Sequence, residues 1–370
     1  MIDFRECVRK RNGWNKASHT DKVAQINTLL SKYGLKVDDI VDAPTVSTYK
    51  INLNVDTKIN SILRLENNFA IATNDQNCRV YQSGNQLCIE SKGADNEVIF
   101  DDLYTDYFKK AGNKLLMMIG IDTDGKKTYY DLRKAPHMLV SGTTGSGKSI
   151  FLHQVMLSLL VNHKKDTDFI GIDMKGNEFR LYNALNNFDY ITEPNHAIAA
   201  LKELCLEMDR RYVTLTQAGC RDIDTYNADG LKMRRKVCVI DEFADLILRN
   251  NEVEDYVVRL AQKARACGIH LIIATQSPRR DILTGLIQAN IPTRVCLSVN
   301  DAIESRIAIN RKGGEKLNGK GDMLFLANGL KEPIRLQGAY INDAERYNIL
   351  CALWAEQENY NLKSGRVKSL

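Results

Sequence analysis

Eight consecutive residues set out the first recognisable chemistry in this sequence. They are Gly142-Thr143-Thr144-Gly145-Ser146-Gly147-Lys148-Ser149, spaced as G-x-x-x-x-G-K-S and followed by Ile150. Glycines at 142, 145 and 147 let backbone N–H groups converge on phosphates without Cβ clashes, and a helix opening at Lys148 aims its positive end at them. Lys148 is then expected to reach the β and γ phosphates, and Ser149 to ligate Mg²⁺. A chance glycine-rich turn is the bland alternative, but the loop follows the apolar run His137–Ser141 and precedes a helical pattern, as phosphate binding requires.

A second apolar run, Lys236-Val237-Cys238-Val239-Ile240, ends in Asp241 and Glu242. Asp241 is expected to hold the metal or its water, and Glu242 to polarise an attacking water as general base. Acids at a helix start can also serve the helix dipole alone. A kinase has no need of the second acid, so Glu242 favours hydrolysis over transfer to a small molecule. Gln276, after Ala274-Thr275, is a candidate sensor of the γ-phosphate if its strand neighbours the one ending at Asp241; otherwise it caps the turn before Pro278. His270 reads as a packed core histidine. Asp173 and Lys175, beside Gly176, fit either a nucleotide contact or a turn.

These residues need strands to carry them. Beyond Pro136, short Val- and Ile-rich runs at 137–141, 169–173, 237–241, 270–275 and 294–299 alternate with helical patterns at 150–161, 196–216, 252–267 and 283–289. That grammar predicts an α/β fold with a parallel sheet covered on both faces. Residues 323–326 and 334–336 could extend the sheet, and 343–356 reads as a closing helix. Upstream, 21–33 reads as an amphipathic helix, 47–55 as a strand, and 79–90 as a hairpin around Ser83-Gly84-Asn85. The expected organisation is a basic arm over 1–20, a small α+β domain over 21–135, a larger α/β domain over 136–342, and a helix with a basic tail over 343–370.

The chain has 370 residues, 44% apolar and 26% charged, with 51 basic and 46 acidic side chains for a net charge of +5. Such a composition excludes disorder for most of the chain, and no apolar run approaches the roughly 18 residues of a membrane helix. With no secretory leader evident, a cytoplasmic protein without direct membrane insertion is expected. Nine cysteines without a C-x-x-C pair fit reduced, packed thiols rather than disulfides or zinc. A net charge of +5 is too small to diagnose a nucleic-acid binder, but residues 274–321 hold eight basic and four acidic side chains.

Read together, PHMLVSGTTGSGKS, VIDEFADLI at 239–247, RLAQKARACGIHLIIATQ at 259–276, TGLIQANIPTRV at 284–295 and GKGDMLF at 319–325 resemble the FtsK/SpoIIIE DNA translocases of the HerA-FtsK ATPase superfamily. The resemblance covers Pro136 to about Asn342. Weaker likeness upstream, in KVAQINTLLSKYGLKV, YKINLNV and GIDTDGKKTYYDLRKAPH, suggests that family's small α domain.

The resemblance implies a RecA-like P-loop NTPase domain, ATP as fuel, and assembly as a homo-oligomer, usually a hexamer, around double-stranded DNA. It gives Lys148, Ser149, Asp241 and Glu242 their nucleotide roles and Gln276 the sensor role. Arg265, in QKARACG, sits where a trans-acting arginine finger is expected, with Arg259 and Arg294 as rivals and an ordinary surface charge as the plain alternative. DNA contact is expected from Ser277-Pro278-Arg279-Arg280 and from 300–320, with Arg306, Arg311 and Lys312 as grips. Ser277 and Ala302 depart from the family's usual Arg and Lys, and Arg279 and Arg280 can compensate. Phosphate contacts from such cations grip any sequence. With no membrane span and few residues after Ala339, a stripped motor of a mobile element is the expected setting, with a relaxase or recombinase as a possible partner. A conjugative coupling ATPase and a nucleotide-gated DNA-binding scaffold are the alternatives.

Overall fold

The computed structural model describes residues 4–364 apart from Asn12, Asn113, Ala135 and Lys164, with side chains described as far as Glu358. The basic tail at 363–368 lies outside those described side chains.

The first four strands are β1 (Asp39–Asp42), β2 (Val46–Asn52), β3 (Arg79–Ser83) and β4 (Gln86–Lys92), which form an antiparallel sheet in the order β1-β2-β4-β3. The expected hairpin turn is there: Ser83 pairs with Gln86, and Gly84 takes φ +60° between them. The helix Thr20–Leu30 buries Ile26 and Leu30 in the core under this sheet, against Tyr49, Ile51 and Phe69.

The remaining strands are β5 (Leu116–Asp122), β6 (Lys127–Asp131), β7 (His137–Ser141), β8 (Thr167–Ile172), β9 (Phe188–Ile191), β10 (Arg235–Ile240), β11 (Ile269–Thr275), β12 (Thr293–Leu297), β13 (Asp322–Leu326) and β14 (Ile334–Gln337). They form one sheet in the order β6-β5-β14-β13-β12-β7-β11-β10-β8-β9. The run from β12 through β9 is parallel, and the run from β13 through β6 is antiparallel. Strands β7, β10 and β11 are buried along nearly their whole length, which is why their sequences read as continuous apolar runs without alternation. One face of the sheet packs on the helix Lys148–His163, which is buried almost all round, and on Phe179 and Tyr182. The other packs on the helices Pro194–Gln217 and Glu252–Lys263.

Sheet membership differs from the expected division at residue 135. Strands β5 and β6 come before it, yet β5 pairs with β14 through Leu336↔Asp122 and Gln337↔Ile121 and so belongs to the large sheet. The reason lies in β5 itself, Leu116 to Ile121, which is buried along its length and needs cover on both faces. The phosphate-loop helix supplies one cover: Gln154 Nε2 donates to the carbonyls of Met118 and Ile119 at 2.6 and 2.9 Å.

The two sheets are joined by a buried ion network. Arg335 on β14 donates to Asp322 on β13 at 2.6 and 3.0 Å and to Glu90 on β4 at 3.0 Å. Burial alone would lower the Arg335 pKa, but the two carboxylates hold it above the usual arginine value. Tyr81 also donates to Glu90, at 2.8 Å.

Candidate active site

In a parallel sheet the carboxyl ends of all strands open on one edge, and that is where functional loops gather. Strand β11 lies between β7 and β10, so the phosphate loop after β7, the carboxylates after β10 and Gln276 after β11 meet at one edge. The neighbour relation on which the sensor role of Gln276 depends is therefore present.

The phosphate loop is held from below and left open above. Gly142 N donates to Thr275 O, and both the amide and the hydroxyl of Thr143 donate to Ser298 O at 3.0 Å. Gly142 must lack a Cβ, because one would lie 2.6 Å from Ser146 Oγ and 2.8 Å from Leu297 Cβ. Gly147 has φ +99°, and a Cβ there would lie 2.5 Å from the backbone nitrogen of Gly321, which itself donates to Ser146 O at 2.8 Å. The turn Gly319-Lys320-Gly321 thus presses on the phosphate loop. Lys320, at the end of the segment expected to grip DNA, lines the nucleotide cleft instead.

The cleft has a volume of about 1030 Å³. Thr143, Thr144, Gly145, Gly147, Lys148, Ser149 and Ile150 line it, whereas Gly142 and Ser146 support the loop beneath. Lys148 Nζ donates to Asp241 Oδ1 at 2.7 Å and to its carbonyl at 2.6 Å, a buried pair at the mouth of the loop. Thr144 Oγ1 donates to Gln276 Oε1 at 2.8 Å. Glu242 stands apart from the cleft wall. Its carboxylate accepts from Thr275 Oγ1 at 2.7 Å and from the Gln276 amide at 3.0 Å, so it is oriented by β11 rather than by the phosphate loop.

One carboxylate in the cleft was not anticipated from the sequence. Ser149 Oγ donates to Glu178 Oε1 at 3.0 Å. Asp173, which had fitted a contact or a turn, proves to be the turn: its fully buried carboxylate accepts from the amides of Lys175, Gly176, Glu178 and Phe179 at 2.7–3.3 Å. The pattern D-x-K-G-x-E leaving a buried strand was the available signal, since an acid with several amides to bind fixes whatever follows it. Lys175 lines the cleft.

The donor set suits a hard cation bound together with phosphates: the hydroxyl of Ser149 and the carboxylate of Asp241 both line the cleft. Among the described residues there is no cage of three or more His, Cys, Asp or Glu side chains. Magnesium, which keeps several waters and takes few protein ligands, needs none.

The candidate fingers separate cleanly. Arg259 is bound to both oxygens of Asp209 at 2.8 and 2.9 Å, and Arg294 is buried with Asn310 and the carbonyls of Gln288 and Ile291. Arg265 is exposed and has no ion pair among the described residues. It precedes β11, a strand of seven residues, and so lies roughly 20 Å from Gln276 at about 3.3 Å per residue.

Among the expected grips, Arg279, Arg280, Arg306 and Lys312 are exposed. Arg279 meets Asp281 at 3.1 Å. Arg311 is more firmly engaged, with its guanidinium on Glu332 at 3.1 Å and on the carbonyls of Asn310 and Lys331. His270 is the packed residue expected: fully buried, its Nδ1 3.1 Å from Pro136 O, its pKa driven well below the ordinary histidine value by burial.

The FtsK/SpoIIIE family model matches residues 99–237 and 231–280. The chain is 38% identical to the DNA translocase SftA of Bacillus subtilis over 321 residues, which is 83% of this chain and 34% of that protein. The chain belongs to the FtsK/SpoIIIE family. It is also 35% identical to the DNA translocase FtsK of Clostridium tetani, over 87% of this chain and 46% of the relative, and 34% identical to SpoIIIE of Bacillus subtilis, over 90% and 45%. The likeness therefore runs well upstream of Pro136, while the chain spans between a third and a half of these relatives' lengths. Among solved structures, the pCW3 conjugation coupling protein TcpA with ATPγS superposes with a TM-score of 0.64 at 23% identity, covering 91% of this chain and 99% of that one. The type VII secretion ATPase EccC of Thermomonospora curvata gives 0.58 at 24% identity, over 65% and 31%. The fold is that of the RecA-like P-loop ATPases. Among the described residues, no helix is long and apolar enough to cross a membrane.

Proposed function

We propose that this chain is an ATP-hydrolysing motor that moves along double-stranded DNA as a ring of identical copies. The observation that carries the reading is the convergence of Lys148, Ser149, Asp241 and Gln276 on one cleft, with Glu242 clamped immediately behind Gln276. Lys148 transfers from Asp241 to the phosphates of ATP. Ser149 and Asp241 hold Mg²⁺, which when bound neutralises charge on the phosphates. Glu242 takes a proton from the attacking water. Because Glu242 accepts the Gln276 amide and Gln276 bonds Thr144, a change at the γ-phosphate passes through Gln276 to the loop Ser277–Arg280 that follows it.

Arg265 serves a neighbouring copy. At the far edge of the sheet it cannot reach its own phosphates, and with no ion pair among the described residues it can meet those of a neighbour, where a finger contributes on the order of 10³-fold or more in rate. Arg279, Arg280, Arg306 and Lys312 meet DNA phosphates, and Arg311 joins them only on leaving Glu332. The test is hydrolysis by the purified chain with and without linear duplex DNA. Stimulation that grows with duplex length and weakens with salt is expected. Hydrolysis stimulated by single strands alone counts against the reading, and hydrolysis indifferent to DNA but raised by a relaxase favours a coupling ATPase.

A further inference from the structure

The carboxylate of Glu178 has no part in the reading so far, yet it is bound to the phosphate-loop serine. Ser149 has one hydroxyl proton, and it is given to Glu178 Oε1 at 3.0 Å. A hydroxyl has one donor and two lone pairs, so one whose proton is taken by a carboxylate can offer only lone pairs elsewhere. That is the orientation a metal ligand needs.

Glu178 is fixed on three sides. Its amide donates to buried Asp173 at 2.7 Å, which locks the backbone at this point of the turn. Its second oxygen, Oε2, lies 3.2 Å from Nε2 of the buried His153, a nitrogen that the Arg346 guanidinium also contacts. His153 is held in turn by Tyr182, 3.0 Å from Nδ1. His153 and Ser149 lie four residues apart on one face of the phosphate-loop helix, so a single carboxylate spans both. Oε1 takes the Ser149 hydroxyl and Oε2 faces His153 Nε2, so both oxygens of the carboxylate are engaged by the phosphate-loop helix. The titratable and polar groups around it are His153, Ser149, Asp173 and Arg346.

We propose that Glu178 is a positioning residue of the metal site, one that orients the Ser149 hydroxyl for Mg²⁺ by accepting its proton. The inference rests on the nucleotide reading of the cleft. It adds an outer carboxylate to the expected ligand pair, and loss of an outer partner of this kind costs roughly 10- to 100-fold in metal affinity. The division of labour is clear in the geometry. Asp241 is engaged by Lys148 and becomes available when that lysine moves to phosphate, whereas the Ser149–Glu178 bond can persist through metal binding.

The test compares the full chain with Glu178→Gln and Glu178→Ala, using a fluorescent, non-hydrolysable ATP analogue. Its affinity is measured first in EDTA and then across a Mg²⁺ titration, with thermal melting as a control for folding. Glu178→Gln keeps an acceptor for the Ser149 proton and loses the charge, so it remains informative if the alanine variant does not fold. Expected results are EDTA affinities within about twofold of the unsubstituted chain and Mg²⁺ midpoints raised roughly 10-fold or more for Glu178→Ala, with Glu178→Gln between the two. An unchanged midpoint overturns the proposal, as does an equal loss of affinity with and without Mg²⁺, which marks a merely structural role. Unsubstituted chain that fails to bind the analogue at all overturns the nucleotide reading itself, a separately recognisable outcome.

Discussion

The nucleotide cleft and the basic loops hold the same kinds of side chain differently: Lys148 and Asp241 are buried on each other in the one, while in the other even Arg279 and Arg311 have only exposed acids as ion partners. At the cleft the groups assigned to the phosphates and the metal are held by partners: Lys148 sits on Asp241, Glu178 on Ser149, and Glu242, behind the wall, on β11, while Arg335 is bound between Glu90 and Asp322 in the interior. Around the loops, Arg280 and Arg306 stand exposed with no ion pair among the described residues. Chemistry on a phosphate needs groups placed before the substrate arrives, because reorganisation adds to the barrier. Gripping a moving polyanion needs cations free to bind and release, and a fixed internal partner would compete with each DNA phosphate.

Substitutions that remove one cleft group sharpen this contrast most. Lys148→Ala is expected to lower steady-state phosphate release by roughly 10³-fold, and Glu242→Gln to lower it comparably while analogue binding stays within a few-fold. Equal losses of binding and hydrolysis in Glu242→Gln would place that carboxylate in binding and break the assignment.

Two arginines make the comparison directly. Arg335→Met leaves Asp322 buried without its cation and Glu90 with only the cation of Arg79, 3.6 Å away, at a cost of about 3–5 kcal/mol in urea denaturation. Arg306→Met, at an exposed position, is expected to leave stability within about 0.5 kcal/mol. Similar stability losses in both would remove the distinction between fixed and free cations.

The interior also carries a pH signature. Burial pushes His163 down to about 4 and His137 down to about 3, from 6.5. The unfolded chain therefore takes up these protons first as pH falls, so the stability is complete above about pH 6.5 and is lost on the way down to about pH 4 for His163 and about pH 3 for His137. His163 alone accounts for a few kcal/mol at the low end. His163→Gln is expected to flatten the melting temperature across that window, and an unchanged slope would contradict the assignment.

The smallest effect belongs to the loops. Arg306→Ala is expected to reduce the slope of log affinity for duplex DNA against log salt by about 1.

Legibility in the sequence divides along the same line. The phosphate loop, Asp241, Glu242 and Gln276 were readable because local spacing and strand context define them, and β11 indeed lies beside β10. Glu178 was not, since its meaning depends on two side chains of a helix some 25 to 29 residues earlier. The placement of β5 and β6 was hidden too: the partner strand of β5 arrives more than 200 residues later, and no local pattern announces it. Arg311 looked like Arg306 in sequence because nothing local shows Glu332 folding back onto it.

On the proposed function, movement, as distinct from hydrolysis, is what joins the two regions. A duplex bearing a third strand downstream of a free end tests it directly. With ATP the chain should displace that strand after a delay that lengthens with the duplex ahead of it, and Glu242→Gln should not. ATP consumed at full rate with the third strand left in place would contradict the account.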